Sequence, residues 1–180
     1  EVISEKGNAN DALAASMTMG AALHEHMEAP HFSFLLECLD SDGNLKWSET
    51  VRNTVVTAGK NDLLDKYFAG SAYTAAWKLG LKGTGSVVAG DTLASHAGWA
   101  EVTPYSGNRP TISWSAASSG SKVASAAISY SITGTATVAG AFITDQASGT
   151  TGILYSAGDF ATSRSVLSGD TLNVTPTVSV

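Results

Sequence analysis

Beyond residue 110 the chain carries only five charged side chains: Lys122, Asp145, Asp159, Arg164 and Asp170. Between them lie β-branched or alternating apolar runs, at Ile112 to Trp114, Ala126 to Ile132, Ala139 to Ile143 and Leu172 to Val180, separated by Gly, Ser and Thr. Stiff branched side chains at period two fit a pleated, half-buried surface and not a helix. Short strands at this spacing predict a mainly β fold, an antiparallel β-sandwich of the Ig-like or jelly-roll-like kind. Asn173 to Val180 alternates throughout, interrupted by Pro176. A proline cannot donate to a ladder, so this run is expected at an edge, or paired on one side only at that point.

The middle of the chain is mixed. Phe32 to Leu39 reads as a buried strand, Asp40-Ser41-Asp42-Gly43-Asn44 as a turn, and Leu45 to Ser48 as the return of a hairpin. In residues 59–69, Leu63, Leu64, Tyr67 and Phe68 recur at helical spacing with Gly70 as a stop, which predicts one short helix. Ala75 to Leu81 alternates like a half-buried strand, and Asp91 to Ala94 is expected to open a turn of helix. Gly-Asp-Thr-Leu occurs at residues 90–93 and 169–172 with flanks that do not match, which predicts two local turns, each launching an element.

Residues 1–30 differ from both zones. They are small, polar and acidic, with Asn8, Asn10 and Asp11 ahead of Ala12 to Ala15 as caps for a short helix. They lack the aliphatic mass to fold alone. The expected organisation is an extended N-terminal arm, residues 1–30, that orders against a partner, followed by a sandwich domain over 31–180.

Composition narrows the function. Charged residues make up 14% of the 180, well under the roughly 25% of an ordinary soluble domain, and the formal net charge is −6. A surface built from Ser, Thr, Gly and Ala suits a lattice subunit partly covered by its neighbours. No Lys/Arg run exists to neutralise phosphates, so no nucleic-acid partner is expected. No apolar run approaches the roughly 20 residues that span a bilayer, and no signal peptide is expected at the N-terminus.

Motifs for chemistry are weak. Cys38, the single cysteine, sits in an apolar run and reads as a small buried hydrophobe. His24, His26 and His31 lie near Glu25 and Glu28, but ligands on a flexible arm must first overcome ordering entropy, and a polar arm is the preferred reading. Asp40 to Asn44 resembles half a calcium loop, yet the twelfth position is Val51 where a bidentate Glu is required. Asp62 and Asp65 share an expected exposed helix face with Lys66, so a solvated ion pair explains them better than glycoside chemistry with Glu101. Neither a Gly-x-Ser-x-Gly element nor a phosphate or dinucleotide loop is present. No catalytic, metal or cofactor residue is assigned. Of the four tryptophans, Trp77 and Trp114 lie in alternating patterns and are expected in the core, whereas Trp47 and Trp99 flank turns and are candidates for exposure. A core or subunit-interface role is preferred to a sugar-stacking platform.

Four stretches occur in a characteristic order: Asn53 to Asp65; Ala94 to Val102; Tyr105-Ser106 to Arg109-Pro110; and Gly152 to Tyr155 through Gly158-Asp159-Phe160 to Ser168-Gly169-Asp170-Thr171-Leu172. Over residues 32–180 they resemble a family of small virion structural proteins of tailed bacteriophages. The resemblance implies a non-enzymatic structural subunit of the virion, assembled in the host cytoplasm, without cofactors. The expected role is a homo-oligomeric capsid decoration or cement protein that binds and stabilises the major capsid protein lattice, or binds other virion subunits. A tail, collar or fibre-base component and a glycan-binding host-surface module are the alternatives. The candidate interface residues are Trp47, Trp99, Tyr105 and Arg109 in the body and Leu13, Met17 and Met19 in the arm.

Overall fold

The computed structural model describes residues 30–68 and 76–179. The expected arm therefore lies outside the described residues but for Pro30, and with it Leu13, Met17, Met19, His24 and His26; so does Ala75. The described chain forms the expected mainly β fold, two antiparallel sheets packed face to face with one helix among the described residues.

The first sheet is built on the predicted hairpin. β1 (His31–Leu39) pairs with β2 (Leu45–Arg52) through the turn at Asp40, whose Oδ1 accepts the N–H groups of Asp42 and Asn44 at 2.9 and 2.8 Å. Two further pieces of the same chain, β3 (Thr54–Val55) and the helix α1 (Thr57–Phe68), follow. β4 (Lys78–Lys82), β5 (Glu101–Val102), β6 (Ser121–Val123), β7 (Ile128–Ser131), β8 (Ala136–Thr144), β9 (Leu154–Val166) and β10 (Thr171–Ser179) complete the fold. The first sheet runs β2-β1-β10-β6, with β7 also on β10; the second runs β3-β9-β8-β4-β5.

β10 is thus central and not an edge. Its far side is shared: β7 pairs Thr171 to Val174 and β6 pairs Thr177 to Ser179. Pro176 falls in the gap between them, where a missing N–H costs no ladder bond, and its carbonyl accepts from Ala124 at 2.9 Å. The one-sided reading of Pro176 holds locally even though the strand is buried in the sheet.

Period two fills the space between the sheets. Phe32, Phe34, Leu36 and Cys38 of β1 and Leu172 and Val174 of β10 face Leu79, Leu81, Ile143, Tyr155 and Phe160 of the second sheet. On β8, Val138 and Ala141 both point inward although three positions apart; the pairing with β9 is irregular between them, where Phe160 to Ser163 of β9 stand opposite Ala139, and the alternation shifts there.

A second, smaller core lies on the outer face of the second sheet. Phe142, Leu154 and Ala157 are covered there by Val56, Leu93 and Trp99. This corrects the reading of β4 as half-buried: Leu79 through Lys82 are all buried, because both faces of the sheet are covered. It also corrects residues 91–94, which form turns in the covering loop and no helix. The repeated tetrapeptides do share a turn. Asp91 and Asp170 each donate their N–H to the carbonyl three residues back, Val88 or Leu167, and accept that residue's N–H on the carboxylate, at 3.0 and 2.8 Å. Only the second launches a strand; both deliver a buried leucine, Leu93 and Leu172.

Candidate docking cleft

α1 forms where its spacing predicts, but with the opposite face inward. Gly59 is its buried residue, and a Cβ there would stand 2.2 Å from the Tyr155 carbonyl oxygen, so the helix rests directly on the β9 backbone. The side chains of Asp62 and Lys66 are only 8% and 16% exposed and pair at 2.7 Å, where a solvated pair was expected. Leu63, Leu64, Tyr67 and Phe68 face outward, with Tyr67 and Phe68 79% and 77% exposed and packed edge-to-face on each other at 4.9 Å. Four large apolar groups on one exposed helix face mark an interaction surface.

Between α1 and the end of the sandwich lies a cleft of about 330 Å³. Its floor is aromatic. Phe32 meets Tyr155 at 5.4 Å and Trp114 at 6.5 Å, both edge-on, and Trp77 meets Tyr155 at 4.9 Å. Ile143 and Val178 fill between them, and Tyr67 and Leu63 form the helical lip. Lys66 Nζ stands 5.4 Å over the Trp77 ring and Lys122 borders the opening. Burial, and then the nearby Asp62 charge, raises the Tyr155 hydroxyl, which stays neutral. Trp77 and Trp114, expected in the core, are half-buried cleft walls.

The candidate interface residues of the body are placed elsewhere. Trp99 is 6% exposed. It stacks on His96 at 4.0 Å, meets Phe142 at 5.4 Å and donates its indole N–H to Asp91 at 2.9 Å. Arg109 is equally buried. It grips Glu101 with two bonds of 2.8 and 2.6 Å and donates to the carbonyls of Gln146 and Gly149 at 3.0 and 2.9 Å. Tyr105 packs on Tyr130 at 4.7 Å inside the main core. These three are internal clamps, not free surface. Trp47, half-buried on edge strand β2, rests on Phe160 at 6.2 Å with Arg164 over its ring at 5.8 Å.

The buried charged groups are likewise engaged. Lys82 is fully buried yet pairs with Asp159 at 2.6 Å and donates to the carbonyls of Gly83 and Gly85. It gets there across Gly140, its β8 neighbour, where even a Cβ would come within 3.1 Å of the lysine side chain. Cys38 is buried, and burial first and the Asp170 carboxylate second push its thiol up to about 11, away from nucleophilic use. Among the described residues no three His, Cys, Asp or Glu side chains converge to hold a metal, and no helix is long and apolar enough to cross a membrane. What the arrangement can do is bind: an apolar aromatic slot with a basic border, next to a bare apolar helix face.

Compared with known proteins, the chain matches no family model and no curated protein.

Proposed function

We propose that this chain is a non-enzymatic structural subunit of a tailed-phage virion, a capsid decoration protein that binds the major capsid protein lattice. The observation that carries the binding role is the exposed apolar face of α1 beside the aromatic cleft. A folded body that leaves Leu64, Tyr67 and Phe68 in water holds surface a partner can bury. The order and spacing of the four sequence stretches support the virion context, and the low charge suits a subunit flanked by neighbours.

A glycan-binding role fits the cleft less well. Sugar recognition needs convergent hydrogen-bonding groups beside an open ring face. Here the polar groups are few, Asp62 and Lys66 are paired with each other, and Lys66 covers the Trp77 ring.

Quantitative gel stoichiometry of purified virions tests the proposal. A decoration protein occurs at a copy number comparable to the capsid lattice itself. A count on the order of a dozen moves the chain to a tail, collar or vertex position. Its absence from purified particles ends the virion reading.

A further inference from the structure

We propose that the aromatic cleft is the docking site for residues 1–29 of a second copy of this chain. The inference rests on the reading of the body as an assembly subunit, and it names the occupant.

Chemistry on the two sides is complementary. Five aromatic rings line the cleft, those of Phe32, Tyr67, Trp77, Trp114 and Tyr155. All three methionines of the chain, Met17, Met19 and Met27, fall within residues 1–29, together with Leu13 and Leu23. A thioether is flexible and polarisable, fills irregular apolar space, and contacts ring edges favourably. Charge agrees as well. Residues 1–29 carry five carboxylates, Glu1, Glu5, Asp11, Glu25 and Glu28, against Lys6 alone. On the cleft border Asp62 and Lys66 are paired with each other, and Lys122 adds a net positive charge.

Geometry favours a second copy. Phe32, a wall of the cleft, lies two residues beyond Pro30. For its own chain to fill the cleft, the path must reverse at the cleft's edge. A neighbour's segment enters with no such reversal. Twenty-nine residues extended span roughly 95 Å, against a diameter of about 40 Å for a body of this size. A contact in which one copy's segment fills the next copy's cleft is head-to-tail. It closes into rings or spreads across a lattice, and repetition supplies avidity.

The test uses the full chain. Isotopically heavy and light copies are mixed, joined with a zero-length carbodiimide cross-linker, and analysed by mass spectrometry. The expected result is Lys122 joined to Asp11, Glu25 or Glu28 in heavy–light pairs. In sedimentation, deletion of residues 1–27 weakens self-association by more than about tenfold. Lys122→Glu weakens it roughly threefold, the scale of one exposed charge pair, and Glu25→Lys in the same chain restores it. Links confined to single copies overturn the proposal in favour of same-chain docking. Self-association unchanged by the deletion, or a full chain that stays monomeric at about 1 mM (a contact weaker than ordinary specific interfaces), overturns it as well. The outcome is separable from the virion reading: particle stoichiometry reports on the one and heavy–light links on the other.

Discussion

At the scale of single residues, polar groups inside the sandwich divide into those with partners and those without. Tyr130 donates its hydroxyl to the Leu79 carbonyl at 2.8 Å, whereas the buried Tyr105 hydroxyl has no partner among the described residues. Tyr130→Phe is therefore expected to cost about 1 kcal/mol in urea unfolding by stranding a buried carbonyl. Tyr105→Phe should be neutral or slightly stabilising, since it removes only an unmade bond. A second expectation concerns acid. Burial tends to raise the Asp170 carboxyl, but the Lys46 ammonium at 2.5 Å and the Leu167 N–H outweigh it and hold it below its ordinary value. A carboxyl lowered by folding adds stability above its unfolded value near ~4 and loses it as pH falls through the folded value. Urea midpoints at pH 7 and pH 3 should thus fall further in the wild type than in Asp170→Asn. Some of this scale was legible in sequence: Cys38 lies in an apolar run and is buried. Trp99 misled, because the groups that bury it, Phe142 and Lys82, are remote along the chain and a flanking turn signals exposure.

At the scale of elements, the hairpin, the helix, β8 and β10 could be read from periodicity and turn chemistry. β9 could not. Leu154-Tyr155-Ser156-Ala157-Gly158-Asp159 alternates in no scale of hydrophobicity, because its small residues are buried on both faces by neighbours that sequence does not reveal. Ile112 to Trp114, expected as a strand, makes only isolated bridges. The orientation of α1 was hidden for a similar reason. Apolar spacing locates a helix, but the face that packs was chosen by the close approach at Gly59, and the cleft that results joins residues from six strands or their flanks and one helix. That approach makes a prediction. Gly59→Ala should favour the helix by about 1 kcal/mol on propensity alone. The added Cβ meets a backbone oxygen at 2.2 Å, which cannot step aside as a side chain can. Overpacking of about 1–3 kcal/mol then wins. Thermal melts should show net destabilisation, and intrinsic fluorescence should report the altered Trp77 environment.

At the scale of the molecule, two cores share one sheet. The main core lies between the sheets, and the smaller one ties the loop over residues 83–100 to the sheet's back. Trp99→Ala should cost about 3–5 kcal/mol by opening that second core; a loss under about 1 kcal/mol in denaturant titrations would show the loop to be dispensable packing. The central place of β10 has a consequence for how such a body comes into being. β1 cannot complete its pairing until β10, more than a hundred residues later, has left the ribosome. Throughout that interval the oily side of the nascent hairpin stays open to other polypeptides, so every product terminated before β10 is a candidate for inclusion bodies.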